Sequence, residues 1–317
     1  MSFGIGPYNI PDDGYAILLC LYADKVSEMD LLGITTDAGG NTNVDQGVAC
    51  ALKLLEMAGR EDIPVYRGVD KPLVSDNVPL FGPNGEVEEP YGGWAKIKEA
   101  QDQDAVDFII EQVMKYPGEV TLMPIGSLTN IAMAIRKKPE IVPMIKQIIS
   151  MGGEFNGCFY PGGANWFFDP HATYIVLHSG IPLTIVPTDT TTKNKFTMSQ
   201  LDSIDNIKQS EFGQWIRTAT EYSFAFDAVE DENGLIYTNL HDPIAVAVFL
   251  DPTIAVETVE MYVDTVIDGP WAGLTVGQRL TSLYPPPKGV EKSKVVFEHD
   301  ESKFIDLILK AVQTLIK

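Results

Sequence analysis

The chain has 317 residues, of which 23 are Lys or Arg and 44 are Asp or Glu, so its formal net charge is −21. Hydrophobic residues at 45% and charged residues at 21% are typical of a globular protein and exclude a disordered or low-complexity chain. The strong negative charge argues against nucleic acids and anionic membranes as partners, because both are bound by clustered Lys and Arg. It fits a neutral small molecule or a cation instead.

Cysteine usage and the N-terminus bear on the cellular compartment. The three cysteines include no Cys-x-x-Cys pair, which argues against a disulfide framework or a zinc cluster. The longest apolar run, residues 16–23, is far shorter than the ~20 residues that cross a bilayer. Acidic residues interrupt the N-terminus before the apolar segment of a secretory signal can form. We therefore expect a cytoplasmic protein without a membrane anchor.

Short apolar runs alternate with longer segments of helical spacing. The runs predict strands at 31–34, 64–66, 120–124, 148–151 and 183–186, and the longer segments predict helices at 44–58, 104–115, 128–136 and 170–178. Such alternation is typical of parallel strands joined by crossover helices. The predicted fold class is therefore α/β, with an open, mostly parallel central sheet and helices on both faces, formed by residues 1–317 as a single domain. The strands predicted to be neighbours in that sheet are 31–34, 120–124, 148–151 and 183–186.

Small and polar residues collect where these strands end. They occupy residues 35–41, 125–127, 152–154 and 187–191. Open α/β sheets bind ligands at the carboxyl ends of their strands, so the loops together favour a site at this edge. Each loop alone is better explained as a turn or a helix cap. Segments 70–93, rich in Pro and Gly, and 193–240, mostly helical, interrupt the alternation. We interpret both as walls or lids over a pocket, or else as ordinary surface segments.

Two helix starts carry the acidic residues of greatest interest. Asp12 and Asp13 come directly before an apolar helix, and His241-Asp242-Pro243 opens another. Asp is an ordinary capping residue at such positions, but gathered carboxylates can also hold a hard cation or sugar hydroxyls. His241 is one of only four histidines and adjoins a carboxylate. A Gly-rich segment contains an amide side chain at Asn165 and an indole at Trp166. The chain contains no P-loop, G-x-G-x-x-G, G-x-S-x-G or H-E-x-x-H motif.

Several segments, taken in chain order, carry a resemblance to one family. They are Asp12-Asp13, residues 33–36 and 40–42, residues 126–132, Met151-Gly152-Gly153, Asn165 with Asp169-Pro170, and residues 241–247. Residues 126–132 read Gly-Ser-Leu-Thr-Asn-Ile-Ala and are similar to a G-P-L-T-N-hydrophobic-A segment. Over about residues 10–280 the chain resembles the inosine-uridine-preferring nucleoside hydrolases.

The resemblance implies a Rossmann-related fold and a particular activity. It implies calcium-dependent hydrolysis of the N-glycosidic bond of a ribonucleoside or related riboside, which yields free base and ribose. Metal ligands would be Asp13, Asp242 and the backbone carbonyl of Ile125. The partner would be a small nucleoside, and the assembly a homodimer or homotetramer.

The resemblance also implies roles for the residues around the cation. His241 would protonate the leaving base, and Asp37 would lie near the sugar or the attacking water. We expect the neighbouring carboxylates to favour the imidazolium form of His241, in opposition to the helix dipole. By the same resemblance, Asp12 and Asn165 would hold ribose hydroxyls. We also expect Asn41, if it takes the place of the asparagine that aligns with Gly40, and Trp166 to bind the substrate.

The N-terminal signature of the family, D-x-D-P-G-x-D-D, is incomplete in this chain. Its first two aspartates fall on Gly6 and Tyr8, and the second of them normally serves as metal ligand and general base. Asp37 is the nearest candidate for a substitute base. Three interpretations stay open at this point: an N-glycosidase with a divergent metal site, an inactive relative that binds a nucleoside-like ligand, or a chain with an altered N-terminus.

Overall fold

The computed structural model describes residues 12–37, 43–75, 99–156, 163–279 and 288–317. Its helices are α1 (Asp12–Lys25), α2 (Val44–Met57), α3 (Ala105–Lys115), α4 (Thr129–Lys137), α5 (Gly163–Phe168), α6 (Pro170–Leu177), α7 (Thr188–Thr191), α8 (Met198–Asp202), α9 (Glu211–Asp227), α10 (Asp242–Leu250) and α11 (Glu301–Leu315). Its strands are β1 (Ile34–Thr35), β2 (Val65–Tyr66), β3 (Thr121–Leu122), β4 (Gln147–Met151), β5 (Leu183–Val186), β6 (Val229–Glu230), β7 (Ile236–Tyr237), β8 (Ala255–Thr265), β9 (Thr275–Gln278) and β10 (Lys292–His299).

The helices lie where their apolar spacing predicts them. Helices α2, α3, α4 and α6 each begin and end within one residue of the predicted bounds. Side-chain caps explain the sharp starts. Asn43 forms a capping box with Gln46 at α2, and Asp104 and Asp169 accept backbone N–H groups at the starts of α3 and α6.

A six-stranded sheet with the order β3-β4-β5-β10-β8-β9 forms the centre of the fold. Strands β3, β4, β5 and β10 run parallel, β8 lies antiparallel to β10, and β9 lies antiparallel to β8. Helix α4 connects β3 to β4, and α6 lies between β4 and β5 in the chain. The α/β class with a mainly parallel sheet is therefore confirmed, as are β3, β4 and β5 as neighbours. The antiparallel strands β8 and β9 at one side of the sheet were not predicted.

The position of β1 corrects one prediction. Residues 31–34 were expected beside β3 in the central sheet, but Ile34 pairs with Val65 in a separate parallel two-stranded sheet of β1 and β2. The backbone N–H of Ile34 donates to the Pro64 carbonyl at 2.9 Å. Residues of β1 and of β3 line the same cavity of about 780 Å³ in the described part of the chain. An apolar run identifies a strand but not its partner, because the partner depends on long-range packing.

Helices α1 and α10 lie in the interior of the molecule. Every residue of α1 from Tyr15 to Ala23 is buried, and so are the residues of α10 from Asp242 to Val248. Helix α1 packs against both α10 and α11, so it has no broad polar face and its sequence is apolar nearly all round. The packing of α1 on α10 brings the first residues of the two helices together.

The two segments that interrupt the alternation differ in how much is described. Residues 193–240 contain α8 and α9, followed by the hairpin of β6 and β7, so helix accounts for a little less than half of the segment that was predicted to be mostly helical. Of residues 70–93, positions 76–93 lie outside the described residues. No helix in the described ranges has the length and apolarity that a membrane span requires.

Candidate active site

Three buried aspartates meet where α1 and α10 begin. Each of Asp12, Asp13 and Asp242 offers a carboxylate oxygen, and these atoms all lie within 4.8 Å of one another. The three residues are only 8%, 5% and 5% exposed. Asp12 ties the two helix starts together, because its Oδ1 accepts the N–H of Asp13 at 3.1 Å and its Oδ2 accepts the N–H of His241 at 3.2 Å. We call Asp12, Asp13 and Asp242 the acidic cluster.

Without a bound cation, keeping the three carboxylates of the acidic cluster ionised costs electrostatic free energy. Burial raises the pKa of Asp12 from 3.8 to about 6, although backbone N–H groups of Asp242 and His241 partly oppose the rise. Burial also raises the pKa of Asp242 well above its usual value, and the charges of Asp12 and Asp13 add to the rise. Carboxylates crowded in this way favour a bound cation, which offsets both the desolvation and the repulsion.

The donor set fits a hard divalent cation. Carboxylate oxygens are the ligands that Ca²⁺ and Mg²⁺ prefer, and the cluster supplies three of them on two rigid helices. The N-termini of both helices carry positive partial charge, which helps to hold the carboxylates ionised. Two of the three predicted metal ligands, Asp13 and Asp242, are thus adjacent.

Asp37 lies close to the same cluster. It lies two residues after the end of β1 and is 2% exposed. Its charge contributes to the raised pKa of Asp242, which places the two carboxylates within electrostatic reach of each other. Asn41, the other residue predicted from this loop, lies outside the described residues.

His241 precedes α10 and contacts a residue that sequence reasoning missed. Its Nδ1 lies 2.7 Å from the hydroxyl oxygen of Thr191. Burial of the ring lowers the pKa of His241 from 6.5 to about 4, so the imidazole is neutral at pH 7. The loss of solvation therefore opposes the imidazolium form that the neighbouring carboxylates were expected to favour.

Asn165 contacts the carbonyl predicted to bind the metal. Its Nδ2 donates to the Ile125 carbonyl at 2.9 Å and to the Met151 carbonyl at 3.3 Å. The side chain therefore joins the loop that follows β3 to the end of β4. A carbonyl oxygen has two lone pairs, so the Ile125 carbonyl can still accept a second partner.

Trp166 corrects a second prediction. It was expected to contact the substrate, but it is 0% exposed and its indole N–H donates to the Ser150 hydroxyl at 3.2 Å. The ring packs under the turn at Gly152 and Gly153. A Cβ at Gly152 would lie 2.3 Å from the indole nitrogen, so only glycine allows this close approach. The indole supports the turn after β4 and has no free surface for a ligand.

The Gly-Ser-Leu-Thr-Asn segment at 126–130 organises the loops around the site. The Thr129 hydroxyl donates to Asp169 at 2.8 Å. The amide of Asn130 donates to the Thr36 carbonyl at 2.8 Å and accepts the N–H of Val69 at 2.9 Å. Since Thr36 precedes Asp37, Asn130 helps to fix the position of Asp37. The motif match was visible in the sequence, but these bonding partners were not.

Comparisons with known proteins agree on one family. A model of the inosine-uridine preferring nucleoside hydrolase family matches residues 9–306. The pyrimidine-specific ribonucleoside hydrolase RihB of Escherichia coli O1:K1 / APEC is 32% identical over 315 residues, covering 96% of this chain and 95% of the relative.

Solved structures show the same likeness. A purine-preferring ribonucleoside hydrolase from Gardnerella vaginalis superposes with a TM-score of 0.81 at 28% identity, covering 100% of this chain and 98% of the other. The plant nucleoside hydrolase PpNRh1 superposes with a TM-score of 0.80 at 25% identity, covering 98% and 97%. The chain therefore belongs to the inosine-uridine preferring nucleoside hydrolase family and is an N-glycosidase of the nucleoside hydrolase type.

Proposed function

We propose that the protein hydrolyses the N-glycosidic bond of ribonucleosides at the acidic cluster, with His241 acting on the leaving base. The observation that carries this proposal is the meeting of three buried carboxylates at two helix starts, directly beside that histidine. Relatives include a pyrimidine-specific and a purine-preferring enzyme. The proposed substrates are therefore ribonucleosides of either base class.

We propose Ca²⁺ as the cation of the site. Asp13 and Asp242 would hold it, with Asp12 beside them and the Ile125 carbonyl as a further oxygen ligand. When bound, the cation would orient the vicinal ribose hydroxyls and make a bound water more acidic. The support for this proposal is the buried, oxygen-only donor set and the raised pKa of Asp12 and of Asp242.

The protein groups divide the remaining chemistry between them. We propose that Asp37 accepts a proton from the water that attacks C1′ of the ribose. The C1′–N bond then breaks through an oxocarbenium-like transition state, and the electron pair leaves with the base. Neutral His241 would stabilise that developing charge by donating a hydrogen bond, as a neutral imidazole can, and the departing base would then take its proton from solvent water. The Asn165 amide would help to position the ribose.

We further propose that the enzyme works in the cytoplasm as a homodimer or homotetramer. The absence of a membrane-spanning helix among the described residues is consistent with this location. Cys20 and Cys50 are buried free thiols, as expected in a reducing compartment. Analytical ultracentrifugation of the purified protein measures the oligomeric state directly.

The test of the proposed function is ribose release. The protein is incubated with inosine, adenosine, uridine and cytidine in excess Ca²⁺, and free ribose is measured by a reducing-sugar assay. We expect turnover of at least one nucleoside, its loss on chelation, and its recovery when Ca²⁺ is restored. Absence of turnover on every nucleoside, with Ca²⁺ in excess, would contradict the proposal.

Two variants test the assignment of residues within that assay. Asp37→Asn should lower kcat by roughly 10²- to 10⁴-fold, as expected for loss of a general base. Asp306→Asn is the matched control, because Asp306 is an exposed aspartate on α11 and the substitution removes the same charge. A wild-type kcat for Asp37→Asn would show that another group is the base.

A further inference from the structure

We propose that Thr191 is a positioning residue that fixes the tautomer of His241, and that Asn194 holds Thr191 in place. The inference rests on the proposed function, since His241 matters to catalysis only if it acts on the leaving base. The proton on the imidazole must then lie on the nitrogen that faces the substrate. Which nitrogen carries it is decided by the bond that the other nitrogen makes.

The distances around the Thr191 hydroxyl indicate where its single proton goes. The oxygen lies 2.7 Å from His241 Nδ1 and 3.5 Å from the Thr188 carbonyl. A separation of 2.7 Å is that of a well-formed hydrogen bond, whereas 3.5 Å is at the outer limit. If Nδ1–H donated instead, the hydroxyl proton would have, among the described residues, only the Thr188 carbonyl at 3.5 Å as an acceptor, so we infer that the hydroxyl donates to Nδ1. A ring that accepts a hydrogen bond at Nδ1 carries its proton on Nε2.

Nε2 is the ring nitrogen left for a ligand. In the part of the chain that the structure describes, no group forms a hydrogen bond with it. The backbone of His241 is held separately, because its N–H donates to Asp12 in the acidic cluster. The ring is thus anchored at Nδ1 and at the backbone, and Nε2–H remains the donor.

Asn194 clamps together the two segments that carry Thr191 and His241. Its side-chain amide donates to the Thr191 carbonyl at 2.6 Å and to the Leu240 carbonyl at 3.0 Å. Its carbonyl oxygen accepts the N–H of Leu240 at 2.9 Å. Leu240 directly precedes His241, so one buried side chain fixes both partners of the Thr191–His241 bond. Thr191 and Asn194 are both 0% exposed.

A purely structural role for Thr191 makes different predictions. A buried hydroxyl that only satisfies a neighbouring polar group would affect stability and would leave the tautomer of His241 unchanged. A positioning role changes the tautomer and reduces kcat with little effect on KM. The test therefore measures the tautomer and the kinetic parameters as well as the melting temperature.

The first measurement is ¹⁵N NMR of the full chain labelled at histidine. Only four histidines contribute, and the His241 signal is assigned as the one missing from His241→Gln. We expect a protonated Nε2 and a bare Nδ1 in the unmutated protein and in Thr191→Ser, which keeps the hydroxyl. In Thr191→Val, which removes it, we expect a mixture of both tautomers.

The second measurement is nucleoside turnover by the same variants. We expect Thr191→Val to lose roughly 10- to 100-fold in kcat, the range typical of residues that orient an acting group, while Thr191→Ser stays close to the unmutated protein. The loss should be smaller on a nitrophenyl riboside, whose leaving group needs little help. Thr192→Val is the matched control, since Thr192 is exposed in the same turn and its hydroxyl donates to the Thr188 carbonyl, not to histidine.

Several results would overturn the proposal. They are a proton on Nδ1 in the unmutated protein, an unchanged tautomer in Thr191→Val, or an unchanged kcat in that variant. Failure of the proposed function is distinguishable, because it appears as absence of nucleoside turnover in the unmutated protein. The NMR arm needs no activity and still decides whether Thr191 sets the tautomer.

Discussion

Two Asp-Pro helix starts in this molecule look alike in sequence and differ in environment. Asp169 caps α6, and its carboxylate is fully satisfied by N–H groups of Ala172 and Leu73 and by the Thr129 hydroxyl, at 2.8–3.0 Å. Asp242 opens α10, where burial and then the charges of the other carboxylates raise its pKa. Asp169 is thus part of a satisfied polar network, while Asp242 is held at an energetic cost. A buried acid with too little positive charge around it indicates a ligand site.

Substituting the residue that precedes the aspartate should give the largest difference in activity between the two Asp-Pro helix starts. It is His241 at α10 and Phe168 at α6. His241→Ala should lower kcat by about 10²- to 10⁴-fold with a much smaller change in KM, since the leaving base loses its hydrogen-bond donor. Kinetics on a nucleoside and on a nitrophenyl riboside measure this, and the loss should shrink on the riboside. Equal losses on both substrates would assign His241 to ribose positioning.

Neutralising Asp242 should change cation binding more than folding. Asp242→Asn should raise the Ca²⁺ concentration needed for half-maximal activity by at least about 100-fold, because a direct ligand is lost. Without Ca²⁺ the variant should melt at a higher temperature than the unmutated protein, because repulsion within the acidic cluster is relieved. Calcium titration of activity and calorimetry in chelator measure the two effects. A lower melting temperature of Asp242→Asn than of the unmutated protein in chelator would show that repulsion within the acidic cluster does not destabilise the fold.

Neutralising Asp169 should change the stability of the fold more than cation binding. Asp169→Asn replaces an acceptor of Leu73 N–H and the Thr129 hydroxyl, which leaves a buried donor without an acceptor. We expect a loss of about 2–4 kcal/mol in the free energy of unfolding, with the calcium requirement of the folded fraction unchanged. Urea unfolding followed by circular dichroism measures the loss. A calcium requirement shifted as far as in Asp242→Asn would break the distinction between the two aspartates.

A third Asp-Pro pair, Asp251-Pro252, should give the smallest effect. Hydrogen bonds from the side chain and backbone of Thr253 lower the pKa of Asp251. A carboxyl group with a lowered folded-state pKa stabilises the protein above its unfolded-state pKa of about 4, and that contribution is lost as pH falls through the lower folded value. Asp251→Asn should therefore melt slightly below the unmutated protein at pH 7, and the difference should shrink as pH falls below about 4. Thermal melts at pH 7 and at a series of lower pH values decide this.

The sequence predicted those parts of the fold that depend on local pattern. Helices α2 to α4 and α6 and strands β3 to β5 are apolar runs of the right length between caps and turns, so periodicity identifies them. The partner of β1 could not be predicted, because an apolar run is equally suited to either neighbouring sheet. Strand β8 has many exposed residues and charged side chains, so it lacked the apolar signal of a buried strand.

The sequence likewise predicted some residues of the site and missed the contacts of others. Asp12, Asp13 and Asp242 come together because helix starts at one edge of a sheet converge. Trp166 was misassigned, because nothing in a Gly-rich strip distinguishes an indole that supports a turn from one that contacts a ligand. Thr191 was overlooked among the polar residues after β5, since its contact with His241 spans 50 positions in sequence. The protonation of His241 depends on burial, which the sequence does not state.

The most direct test of the central claim is the effect of Ca²⁺ on thermal unfolding. A cation that binds only the folded protein stabilises it by about 2.7 kcal/mol when its free concentration is about 100 times Kd. If the acidic cluster is the cation site, Ca²⁺ raises the melting temperature of the unmutated protein and of Asp306→Asn and leaves that of Asp242→Asn unchanged. An equal rise in all three proteins, or a rise in none, would contradict the account.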